Sequence, residues 1–134
     1  MPLLGFDFGK ARIGVAIVPD DMDFALPLIT VDGDEDAQWL KIDDLIKKQN
    51  PRVLVVGLPY TMAGSEGEQA EKARDFGAKL FEKYNIPVEF VDERMSSMEA
   101  SRAGAGDIDA SSAAIILDTY LSKAASAGED IFEV

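Results

Sequence analysis

The chain has 134 residues and a net charge of −12, from 25 acidic and 13 basic side chains, and it contains neither cysteine nor histidine. Those two absences exclude disulfides, thiolate zinc sites and thiol catalysis, and also imidazole bases, serine–histidine triads and histidine-ligated metals. Chemistry is left to carboxylates and other oxygen ligands, which suit hard divalent cations such as Mg2+ or Mn2+.

A hydrophobic content of 47% over this length predicts a single soluble domain spanning residues 1–134. No apolar run is long enough to span a bilayer and no secretory leader is evident, so the expected location is the cytoplasm, away from membranes. The net charge opposes broad attraction to nucleic acid, whose binding rests on phosphate neutralisation, but it leaves room for a local basic patch.

Leu3 to Val18 (LLGFDFGKARIGVAIV) reads as two apolar strands joined by a tight turn at Gly9, Lys10 and Ala11, with glycine supplying the positive φ of a short hairpin. Ala25 to Val31 is a third strand, which Pro27 confines to an edge. Short connections make these three an antiparallel meander. The acidic loop Asp32 to Asp36 follows, and Asp34 or Asp36 is placed to cap a helix with Trp39, Ile42 and Ile46 at helical spacing and Leu40 and Leu45 widening the stripe. Asn50 and Pro51 end that helix.

Arg52 to Leu58 (RVLVVGL) is a nearly continuous apolar run, the pattern of an interior parallel strand. After the loop from Pro59 to Gly64, Ser65 and Glu68 have the spacing of a capping box. The helix beyond carries Ala73, Phe76, Gly77, Leu80, Phe81 and Tyr84 on one stripe. Val88 to Val91 is a short strand that delivers Asp92, Glu93 and Arg94 at its end. A short helix through Met98 and Ala100 is expected, then a last helix from about Asp109 with Ala113, Ile116, Leu117, Tyr120, Leu121 and Ala124 on one face. The order β-β-β-α-β-α-β-α-α makes a five-stranded mixed α/β sheet: strands one to three antiparallel, strands four and five parallel to the first, helices on both faces.

In such a sheet the parallel strands end together, and sites form at those carboxyl ends. Asp7 interrupts an apolar strand, where an unpaired carboxylate is costly. It serves either as a turn cap or as a metal ligand. Asp92 and Glu93 end the fifth strand, and alternation lets only one of them face Asp7. Asp109 lies four residues before Ala113 and eight before Leu117, on or near the inward face of its helix, although aspartate is also a favoured N-cap. Three convergent carboxylates without imidazole point to one or two divalent cations and phosphodiester chemistry.

The segments GFDFGKARIGVA, VVGLP followed by MAGS, VDERMSS with Ala100, and DASSAAIILDTYL resemble the YqgF/RuvX family, in family order over nearly the whole chain. Its members are described as Holliday-junction-resolvase-like proteins or as candidate nucleases for the 5′ end of pre-16S rRNA. The resemblance implies an RNase H-like fold and a metal-dependent phosphodiester hydrolase acting on structured RNA or branched DNA. It places the catalytic and metal-binding acids at Asp7, Glu93 and Asp109, with Asp92 a further possible ligand. Glu93 is preferred because its side chain reaches beyond the strand end.

Lys10, Arg12, Arg94 and Arg102 are positioned to hold phosphates, and the amides from Ser65 onward offer an anion site at a helix start, where simple capping is the competing role. The acidic loop at the same end predicts weak, salt-sensitive affinity. Departures from the family pattern fall at Lys10 and Ala11, at Ala63, at Ser97, and in the short lysine-free segment before Asp109, all touching substrate contact rather than metal binding. They keep a second reading in play, a non-catalytic RNA-processing or ribosome-associated scaffold. The sequence leaves the oligomeric state open; symmetric junction resolution would call for a dimer.

Overall fold

A computed structural model describes residues 1–9, 12–58, 67–92 and 108–126, without the side chains of residues 92, 108, 109 and 124–126. The elements are β1 (Leu3–Phe8), β2 (Ile13–Val18), β3 (Leu26–Val31), α1 (Glu35–Gln49), β4 (Val53–Leu58), α2 (Glu68–Tyr84), β5 (Val88–Asp92) and α3 (Ile108–Ser126). The sheet order is β3-β2-β1-β4-β5. β1 to β3 form the expected meander, and β4 lies parallel to both β1 and β5.

Period-two alternation divides the strands between two cores. Leu4, Phe6, Val15, Leu54 and Val56 pack under Ile42 and Leu45 of α1 and Phe76 and Leu80 of α2. Leu3, Ala16, Val55 and Val91 face the other way, against Ala113, Ile116 and Leu117 of α3. β4 is buried almost throughout because both its faces are covered, which explains its unbroken apolar sequence. β3 lies at the edge as Pro27 requires, and its register slips by one residue between Val15 and Ala16, leaving Leu28 as the extra residue of a bulge.

The helix ends follow from local chemistry. The Asp34 carboxylate accepts from the Ala37 N–H at 2.8 Å, one of the two caps expected for α1. Asn50 and Asn85 close α1 and α2 in the left-handed conformation, at φ 49° and 55°. The two helices are tied where the Tyr84 hydroxyl donates to the Asp43 carboxylate. Burial first, then that hydrogen bond and the charge of Asp43, push the Tyr84 phenol well above its ordinary pKa.

Four local expectations need correction. Gly9 does not adopt a positive φ; among the described glycines only Gly33 does, at 96°. Gly9 is required instead for close approach, because its N–H donates to the Arg12 carbonyl at 2.9 Å and a Cβ would stand 2.8 Å from that oxygen. Leu40 is 71% exposed and Phe81 52% exposed, so neither belongs to its helix's buried stripe; at about 3.6 residues per turn Leu40 lies roughly 160° around the helix from Ile42, and Phe81 at the margin of its stripe. α2 starts at Glu68 with Gly67 as N-cap and no side-chain cap, so Glu68 occupies the first helical position and not the third that a capping box needs. The helix expected through Met98 and Ala100, and the acidic tail from Gly128, lie outside the described residues.

Candidate active site

Because β1, β4 and β5 run parallel, their carboxyl ends share one edge of the sheet. Asp7, half-buried, is the penultimate residue of β1. Its face is fixed by Gly5, two residues earlier, where an added Cβ would stand 2.5 Å from Leu117 Cγ of α3. Alternation gives Asp7 that same α3 face. The residue beside it on β2 is Gly14. On β4, the register carried one residue past the Phe6–Val56 pair brings Gly57 alongside. Asp7 is therefore flanked on both neighbouring strands by residues without side chains.

α3 crosses β1 at Gly5 and runs against the strand direction. Its carboxyl half lies toward the amino end of β1, where Leu121 neighbours Leu3 and Val18 and the Asp118 carboxylate accepts from the Ala25 N–H at 3.0 Å. Its first turn, which includes residue 109, extends roughly 12 Å from Leu117 toward the carboxyl end of β1, at 1.5 Å per residue. The N-terminal, electropositive end of the helix thus lies at the same edge as Asp7. β5 ends there too, with Asp92 level with Leu58. Val91, buried in the α3 core, fixes which strand positions turn toward that helix.

Among the expected site residues, Asp7 and Arg12 are described with their side chains, and Asp92 and Asp109 by backbone alone. Arg12 is exposed on the turn that links Phe8 to Ile13, at the same end of the sheet. Lys10, Ser65, Glu93, Arg94 and Arg102 lie outside the described residues. Among the described residues no three acidic side chains form a cluster able to hold an ion. The acidic loop after Val31 reaches this end as expected, since Val31 lies opposite Ile13 on β2.

Sequence reasoning missed the three glycines. Gly5 admits α3, and Gly14 and Gly57 clear the sides of Asp7. A residue without a side chain leaves no periodic signal, and only the strand register shows that Gly14 and Gly57 are neighbours of Asp7.

The family model described as RuvX: Holliday junction resolvase matches residues 1–123. A protein of Methylobacillus flagellatus named "Putative pre-16S rRNA nuclease" is 45% identical over 101 residues, covering 75% of this chain and 69% of the relative. A protein of the same name from Nitrosococcus oceani is 40% identical over 131 residues, covering 90% and 86%. Among solved structures, Thermus thermophilus RuvC in complex with a Holliday junction substrate aligns with a TM-score of 0.63 at 17% identity, covering 96% of this chain and 97% of that one. A second Thermus thermophilus RuvC structure aligns with a TM-score of 0.57. Strand order, sheet polarity and these likenesses identify an RNase H-like fold, and the match over residues 1–123 shows that the chain belongs to the RuvX, Holliday junction resolvase, family.

Proposed function

We propose that this chain is a divalent-metal-dependent nuclease of the cytoplasm that hydrolyses phosphodiester bonds in the maturing 5′ end of 16S rRNA. The observation that carries this reading is the setting of Asp7: a half-buried carboxylate at the end of β1, on the α3 face, between two glycines. An oxygen-only donor set in a chain without histidine or cysteine suits Mg2+ or Mn2+. When bound, one or two such ions supply Lewis-acid polarisation of the phosphodiester.

Asp7, Glu93 and Asp109 are the residues that would hold the ions. Two strand spacings separate β1 from β5, about 10 Å, a gap that favours the longer side chain of Glu93 over Asp92. Lys10, Arg12 and Arg94 would hold backbone phosphates, and the amides near Ser65 would add an anion contact. None of these contacts reads sequence, so affinity for structured RNA is weak and falls with salt.

The names of the relatives favour an rRNA precursor. The likeness to RuvC is one of fold. The test compares Mg2+- and Mn2+-dependent cleavage of a precursor 16S fragment and of a four-way DNA junction by the native chain and by Asp7→Asn. Metal-dependent trimming of the RNA, lost in the variant, is the expected result. Preferential cutting of the junction would reassign the substrate. Binding of RNA without metal-stimulated cleavage would leave the non-catalytic scaffold as the better reading.

A further inference from the structure

The described β1–β4 ladder ends at the pair Phe6–Val56, for a reason legible in the sequence. The Gly9 N–H donates to the Arg12 carbonyl at 2.9 Å, so the odd-numbered residues of β1 turn their backbone groups to β2 and the even-numbered ones to β4. The parallel register sets the Phe6 carbonyl to take the N–H after Val56, and the Phe8 carbonyl the N–H after Leu58. Position 59 is proline, which has no N–H to give. The last carbonyl of β1 therefore has no strand donor, one residue from Asp7.

α2 supplies the replacement. Gln69, half-buried in the first turn of that helix, donates from Nε2 to the Phe8 carbonyl at 3.4 Å. Two turns further along the same helix face, Phe76 stacks on the Phe8 ring with centroids 4.8 Å apart. Phe8 is thus held from the α2 side by its ring and its carbonyl, while Asp7 turns to the opposite face. The peptide plane between Phe8 and Gly9 is fixed at both ends, its oxygen by Gln69 and its N–H by the Arg12 carbonyl. With Gln69 removed, one end is released, and glycine, which accepts either sign of φ, lets the plane turn.

We propose that Gln69 is a positioning residue for the ion site: by holding the Phe8 carbonyl, it sets how the end of β1 presents the Asp7 carboxylate. The inference rests on the reading of Asp7 as a ligand for Mg2+ or Mn2+. Gln69 acts through the backbone and touches neither ion nor substrate. A bond of this length adds little to global stability, so its effect is confined to the strand end. Ion affinity should respond where unfolding does not.

The test uses the full chain with Gln69→Met, which keeps the length of the side chain and its helix propensity but has no donor, and Gln69→Lys, which restores one. Asp7→Asn is the control. Mn2+ affinity is followed by calorimetry, the Gly9 N–H by amide exchange and stability by thermal unfolding. Gln69→Met is expected to bind Mn2+ several-fold more weakly and to exchange the Gly9 amide several-fold faster, with an unchanged melting temperature, and Gln69→Lys to recover the protection of Gly9. Native Mn2+ affinity in Gln69→Met, beside lost binding in Asp7→Asn, would overturn the proposal, as would Gly9 exchange as slow in Gln69→Met as in the native chain. Undiminished Mn2+ binding by Asp7→Asn would instead overturn the ion reading, and this inference with it.

Discussion

Leu117 of α3 rests on Gly5 of β1 so closely that a methyl group there would stand 2.5 Å from Leu117 Cγ and about as near to both its methyls, at 3.0 and 3.1 Å. The contact sets how near α3 comes to the sheet, two residues from Asp7. Gly5→Ala should therefore cost about 1–3 kcal/mol, the usual penalty for overpacking a filled core. It should also reduce metal-dependent cleavage by shifting the first turn of α3 away from Asp7. Thermal unfolding checks the first effect and cleavage rates the second; an unchanged melting temperature would show that α3 yields freely.

The choice between Asp92, the last residue of β5, and Glu93 can be read from paired variants. Glu93→Gln should lower metal-dependent cleavage by at least the roughly 10–100-fold that loss of outer-shell support costs a metal site. Asp92→Asn should lower it much less. Mn2+ titration followed by calorimetry, alongside the rates, makes the comparison; a larger defect in Asp92→Asn reverses the assignment.

Asp118 joins α3 to the start of β3 by accepting from the Ala25 N–H at 3.0 Å. Ala25 is only 9% exposed, so its N–H has little access to water once that acceptor is removed. Asp118→Ala should cost about 1–3 kcal/mol, the range for a buried donor left unsatisfied. Asp118→Asn keeps an acceptor oxygen and should lose less. Amide exchange at Ala25 should accelerate in the alanine variant, and equal protection in both variants would mean that the bond contributes nothing.

Tyr84 predicts a stability change at high pH. Its phenol, whose ordinary pKa is 10.0, is raised in the folded state by burial and by its bond to Asp43, so the folded chain favours the protonated form. The contribution is complete below pH 10 and is lost as pH rises through the folded value. Tyr84→Phe should cost about 1 kcal/mol at neutral pH, a typical net value for a hydrogen bond, and should flatten this alkaline decline. Denaturant midpoints between about pH 8 and pH 11 for both proteins, on either side of the ordinary phenol value of 10.0, make the measurement; parallel curves would place the alkaline loss elsewhere.

The fold was legible because its strands carry their burial in their patterning. β4 is covered on both faces and reads as a continuous apolar run, while β3 announces its edge position through Pro27. Leu40 and Phe81 misled because hydrophobicity was read ahead of helical angle: at about 3.6 residues per turn Leu40 faces away from Ile42, and Phe81 falls at the margin of its stripe. At the site, Asp7 stood out as a charge inside an apolar strand. Its surroundings did not, because Gly5, Gly14 and Gly57 act through what they lack, and Gly14 and Gly57 meet Asp7 only by register.

The proline and bulge of β3 have a consequence for how this molecule meets its own copies. Leu26 and Leu28 are each 38% exposed along an open strand, a combination that invites another chain to continue the sheet. Pro27 offers no N–H to an incoming strand, and the slipped register at Leu28 spoils the straight ladder that stacking would extend. Among the described residues the sheet ends at β3 on this side, and both features oppose its extension by a second copy from that edge.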